Sequence, residues 1–196
     1  AAELYPDIIV ATLNGFDPSD PDALSYVEEE LETGKWKMIG ELDLRNRVKK
    51  TEIAITDDTV MGILALAGEY EIPVMVHYDF EYGIDREDGI AEFEEALDAN
   101  PDTTIIYAHN CGSDIVLLMA EHENLYCEQE SGIVSNDVDI SRVVAGTDMQ
   151  VHENKPEKAA AQYKELIDSL REAISSLSET KQKKIGHTNA ERIFNL

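Results

Sequence analysis

Positive charge is scarce in this 196-residue sequence: 16 lysines and arginines stand against 41 aspartates and glutamates, a formal charge of −25. Phosphate backbones and anionic lipid surfaces are held by clustered cations. A nucleic-acid or membrane-surface partner is therefore not expected. Two basic islands occur, Arg45, Arg47, Lys49 and Lys50, then Lys181, Lys183 and Lys184. In so acidic a chain they read as solvated or substrate-orienting segments. Long apolar runs are missing too. The longest, residues 61–68 and 115–120, fall far short of the ~20 residues that span a bilayer. Cysteine is almost absent, with only Cys111 and Cys127. That excludes a disulfide framework or a cysteine-based zinc module, and Cys111 is expected to be a small buried thiol.

What remains is ample for a core, since 43% of the residues are hydrophobic and the length suits a single domain over residues 1–196. Short β-rich runs alternate with longer amphipathic segments. Strands are predicted over 8–13, 37–42, 74–78, 103–108, 124–128 and 142–146. Most are continuously apolar, as in Ile8-Ile9-Val10-Ala11 and Val74-Met75-Val76, the pattern of strands buried on both faces. Helices are predicted over 20–33, 57–70, 87–99, 113–122 with Ser113 as its cap, 156–176, 179–185 and from about 189. Six βα repeats fit either a doubly wound sheet or a (β/α) barrel. No glycine-rich phosphate loop follows any strand, which lowers the first alternative.

The polar residues at the strand ends carry the chemistry. Glu41 stands at the end of the second predicted strand and His77 ends the third. His109 follows the fourth and Asp148 the sixth. Taken singly, a strand-end histidine is more often a loop residue, an aspartate there a helix cap, and Glu41 an ion-pair partner. Coincidence across four strands is much harder to obtain by chance. Parallel strands bring such ends to one face, and imidazoles with carboxylates suit zinc, manganese or a similar divalent ion. Lesser candidates for substrate contact are Arg45, Arg47, Tyr78 and His152. Glu128 and Glu130 add negative potential, and His122 is read as structural at a helix C-terminus.

These residues and their order resemble the amidohydrolase superfamily, in its amidohydrolase-related branch. Tyr5-Pro6-Asp7 leading into Thr12-Leu13-Asn14 resembles that family's third strand, and the later runs its fourth to eighth. The closing Asn189-Ala190-Glu191-Arg192-Ile193-Phe194 is similar to its C-terminal helix. The resemblance implies a (β/α)8 TIM-barrel type fold of which about six βα units are present. It implies a divalent metal, zinc with manganese as the second choice. His77, His109 and Asp148 would be ligands, with Glu41 a weaker bridging ligand. Asp148 would serve as general base to a metal-bound water, and His109 would hold metal or polarise substrate. The family's first-strand His-x-His pair has no counterpart among the five histidines, His77, His109, His122, His152 and His187. The opening Ala1-Ala2-Glu3-Leu4-Tyr5 also reads like the end of a helix, so upstream residues are expected.

The first expectation is a metal-dependent hydrolase attacking a C–N or C–O bond of a small molecule. The second is a metal-dependent non-oxidative decarboxylase of an aromatic or enoic carboxylic acid. A non-catalytic remnant or binding protein is the third. The apolar face of residues 156–176 is expected to pack either on the barrel or against a second copy in a homo-oligomer, and the cytoplasm is favoured over export.

Overall fold

The computed structural model describes residues 4, 9–132, 134, 137–149 and 156–196. The predicted alternation is the observed one. In chain order it runs β1 (Thr12–Leu13), α1 (Ala23–Glu32), β2 (Met38–Asn46), β3 (Thr51–Glu52), α2 (Asp58–Glu69), β4 (Val74–Tyr78), α3 (Arg86–Ala99) and β5 (Ile105–Tyr107). It continues with α4 (Ser113–Glu121), β6 (Leu125–Gln129), β7 (Val143–Ala145), α5 (Pro156–Ile174), α6 (Glu179–Lys183) and α7 (Asn189–Ile193), with a π turn at Lys184–Thr188. Among the described residues the sheet order is β1-β2-β4-β5-β6-β7, all parallel, with β3 antiparallel on β2.

That order settles the choice between the two α/β architectures. A doubly wound sheet reverses direction at a switch point. Here each new parallel strand adds beside the previous one. Right-handed crossovers then lay every connecting helix on the same side, so the chain is a partial TIM-type barrel with an inner face left to polar chemistry.

Register shows which residues take which face. Val74, Ile105 and Leu125 are aligned, as are Val76, Tyr107, Cys127 and Val143. These lie on the helix side, where Val74, Val76, Ile105, Leu125, Cys127 and Val143 are fully buried. Alternation sends Met75, His77, Ile106, Tyr126, Glu128 and Val144 to the inner face. On the helix side Tyr78, Phe80, Phe93 and Tyr107 form an aromatic cluster, with Phe80 stacked on Tyr107 at 5.7 Å. The C-terminal motif has an equally concrete task. Buried Asn189 donates from Nδ2 to the carbonyls of Ile140 and Val143, each at 2.7 Å, and so pins α7 to the start of β7.

Several boundaries differ from expectation. β1 is confined to Thr12–Leu13, residue 8 lying outside the described part. β2 runs four residues past its predicted end because β3 folds back on it, with Asn46 Oδ1 accepting from the amides of Val48 and Lys49 to make the turn. α1 starts later than predicted because Asp17 and Asp20 tie the preceding residues into turns. α4 is capped by Gly112, so Ser113 is its first helical residue rather than its cap. The largest correction concerns cysteine: Cys111 and Cys127 form a disulfide, their Cα atoms 5.6 Å apart. They stand sixteen positions apart in sequence, but β5 and β6 are neighbours, so the loop after β5 meets the strand beside it.

Candidate metal centre

The site begins with an irregularity in β2. Its pairing with β4 shifts register between Ile39 and Leu42, which makes the intervening Gly40-Glu41 a bulge. Gly40 has φ 102° and no room for a side chain, since a Cβ would overlap the carbonyl of Met75. Only glycine meets both conditions at low cost. A bulge re-aims the side chain beside it, and here that side chain is Glu41, turned towards the imidazoles of the next two strands.

One oxygen of Glu41 serves both. Glu41 Oε1 lies 3.1 Å from His77 Nδ1 and 3.0 Å from His109 Nε2, and the two rings meet edge-on at 4.6 Å. Each far ring nitrogen faces another carboxylate. His109 Nδ1 donates to Glu130 Oε1 at 2.6 Å. His77 Nε2 stands 3.5 Å from Asp79 Oδ2, which in turn accepts from the Arg47 amide at 2.8 Å. The loop after β5 is held by Asn110, whose Oδ1 accepts from the amides of Glu130 and Ser131 and from Gln129 Nε2. That anchoring fixes His109 in the left-handed region, φ 65°.

Electrostatics follow from the geometry. Burial pushes the Glu41 carboxyl up, but its bonds to His109 and His77 outweigh this and hold it at about 2. The same bond from Glu41, together with Glu130, overcomes burial and raises His109 to about 9. With a carboxylate facing each ring nitrogen, the charged form of His109 is favoured. Glu128 is pushed up to about 7 by burial and by the neighbouring Glu130 charge.

Glu41, His77 and His109 each offer a donor atom, all within 4.8 Å of one another. Two imidazole nitrogens and a carboxylate oxygen are the donors that zinc and manganese take. Asp79 and Glu130 stand where carboxylates behind ligating histidines usually stand. The residues present fit a divalent ion. Glu130 and Glu128 were legible in sequence only as negative potential; nothing in their spacing marks Glu130 as the partner of His109.

The other predicted site residues are placed as follows. Asp148 follows β7 at the same edge, exposed and with φ 42°, outside the trio. Its charge reaches the site through Lys49, whose ammonium bonds Asp43 Oδ2 at 2.6 Å and is held up by Asp43, Glu41 and Asp148 together. Arg45 and Tyr78 are not brought to the site, which corrects their reading as substrate-facing. They are register partners on the helix side and are 7% and 1% exposed. Arg45 donates to Glu92 at 3.1 Å and to the Tyr78 hydroxyl at 2.9 Å, and Tyr78 donates to Glu92. His152 lies outside the described residues.

The family model described as Amidohydrolase matches residues 3–196. No curated protein matches the sequence. Among solved structures, an uncharacterised TIM-barrel protein from Bordetella bronchiseptica is 18% identical, with 99% of this chain and 69% of that one covered at a TM-score of 0.67. A dihydroxybenzoic acid decarboxylase from Polaromonas, with bound manganese and the inhibitor 2-nitroresorcinol, is 14% identical, with 100% and 72% covered at 0.58. A dihydroorotase from Campylobacter jejuni is 14% identical, with 95% and 64% covered at 0.56. At such identities the likeness is one of fold.

Proposed function

Because the chain belongs to the amidohydrolase family, we propose that it is a metal-dependent enzyme that hydrolyses a C–N or C–O bond of a small molecule. The observation that carries this reading is the single Glu41 oxygen shared by imidazoles from two adjacent strand ends. Glu41, His77 through Nδ1, His109 through Nε2, and Asp148 would hold the cation, zinc or manganese. When bound, such an ion supplies Lewis acidity, polarising a substrate oxygen and lowering the pKa of water to about 7. The side chains supply the rest. Glu130 keeps a proton on His109 Nδ1, which leaves Nε2 free to ligate. Asp148, exposed at the mouth, accepts the proton from the attacking water and returns it to the leaving group. Arg47 and Lys49, on the exposed turn after β2, draw an anionic substrate towards an otherwise acidic opening.

A second reading keeps the ion and changes the reaction: release of carbon dioxide from an aromatic or enoic acid. Its support is the fold shared with a decarboxylase that carries manganese and the cationic turn suited to a carboxylate. Metal analysis of the purified protein tests both readings. Bound zinc or manganese, lost on His77→Ala, supports them; no affinity for either ion favours a non-catalytic protein. Asp148→Asn should abolish turnover with the fold intact. Carbon dioxide release, measured against hydrolysis products, separates the two reactions.

A further inference from the structure

A second group of metal-competent side chains lies at the opposite end of the sheet. A helix that follows a parallel strand runs back along it, so the last turns of α3 and α4 sit at the strands' N-terminal edge, away from Glu41. There His122 ends α4. Its amide donates to the Leu118 carbonyl at 2.9 Å and its own carbonyl accepts from Arg142 at 2.6 Å, so the residue is fixed at both ends. Its side chain is only 9% exposed. Its Nε2 is buried with no hydrogen-bond partner, a costly state for a polar atom in a native interior.

That orphaned nitrogen faces a carboxylate, and a second lies close by. Glu94 Oε1 of α3 is 3.7 Å away, and donor atoms of Glu94, Glu121 and His122 all lie within 4.8 Å of one another. On the far side of the ring, His122 Nδ1 faces Asp98 Oδ1 at 3.4 Å. A separation of 3.7 Å is too long for a hydrogen bond. It is close to the distance between two ligands on one tetrahedral ion, roughly 3.4 Å for bonds of ~2.1 Å. Glu94 and Asp98 are 42% and 73% exposed, so an ion can enter from solvent and keep water in its remaining positions.

We propose that Glu94, Glu121 and His122 form a divalent-cation site of the zinc class that joins α3 to α4, with Asp98 holding the far nitrogen of His122. One imidazole with two carboxylates is a donor set zinc accepts, and a carboxylate behind the histidine sets its tautomer. The ion would give the buried nitrogen a partner, offset the negative charges of Glu94 and Glu121 and tie two helices that meet the solvent. This site is separate from the residues proposed for the reaction.

The test uses the full chain with its other site disabled by Glu41→Gln, His77→Gln and His109→Gln, and zinc alone as probe. Equilibrium dialysis with metal analysis should find one zinc per chain, and thermal melting a zinc-dependent rise in Tm. Adding His122→Gln or Glu94→Gln should weaken that binding at least about tenfold and remove the rise. Should the triple variant not fold, the wild-type chain serves. His122→Gln should then remove one zinc equivalent, and zinc should shift the His122 ring resonances. Absence of zinc in the folded triple variant, or zinc retained unchanged after His122→Gln in either background, would overturn the site.

Discussion

The carboxyl group of Glu128 fills the space that a side chain on Gly146 would occupy. A Cβ at Gly146 would overlap Glu128 Oε1 and Cδ, and Glu128 itself is 9% exposed on the inner face beside His109. The close approach of β6 and the end of β7 thus depends on one absent methyl group. It also places an acid whose pKa is pushed up to about 7 next to the candidate metal centre.

Gly146→Ala should therefore destabilise the protein by about 1–3 kcal/mol, the usual cost of overpacking. Urea unfolding measures it. Combining it with Glu128→Ala removes the overlap, so the double variant should be more stable than the two single effects predict in sum. Strict additivity would show that the two residues do not collide.

Proton release should accompany metal uptake. His109 in the metal-free protein titrates at about 9, above its ordinary value near 6.5. The stability it contributes is complete below about pH 6.5 and lost as the pH rises through about 9. Glu41 behaves oppositely: held at about 2, its contribution is complete above about pH 4.5 and lost as the pH falls towards 2. An ion must displace the proton on His109 Nε2. Calorimetry at pH 7.5 in buffers of different ionisation enthalpy should find about one proton released per ion, with affinity rising as the pH approaches 9.

Glu92→Gln should cost about 3–5 kcal/mol by leaving the Arg45 guanidinium buried without its counter-charge. The two side chains are 8% and 18% exposed and 3.1 Å apart. The loss should show in thermal and urea unfolding while metal affinity stays unchanged, because the pair lies on the helix side of the sheet.

Thiol titration of the folded, air-purified chain should find no free cysteine until a reductant is added. Reduction, or Cys127→Ala, should lower stability by about 3 kcal/mol, as expected for closing a loop of this length. Free thiols in the untreated protein would contradict the Cys111–Cys127 pair.

The scarcity of lysine, arginine and long apolar runs, together with six β-rich runs each leading into a helix, was enough to determine an α/β chain with its polar residues at the strand ends. The observed strand order decided for a barrel over a doubly wound sheet. Glu41, His77 and His109 were legible because each follows or ends an unbroken apolar run, and such runs share one direction in a parallel sheet. Tyr78 and Arg45 show where that reasoning stops. Side chains alternate along a strand, so Tyr78, next to His77, was bound for the other face. Arg45 joined it only through a second register shift, between Asp43 and Arg45, that pairs it with Tyr78. Tertiary structure alone paired Cys111 with Cys127, set Glu130 behind His109 and brought Glu94 to His122. Each of those pairs joins neighbouring elements far apart in sequence, and their distances depend on strand spacing and helix packing that no local pattern encodes.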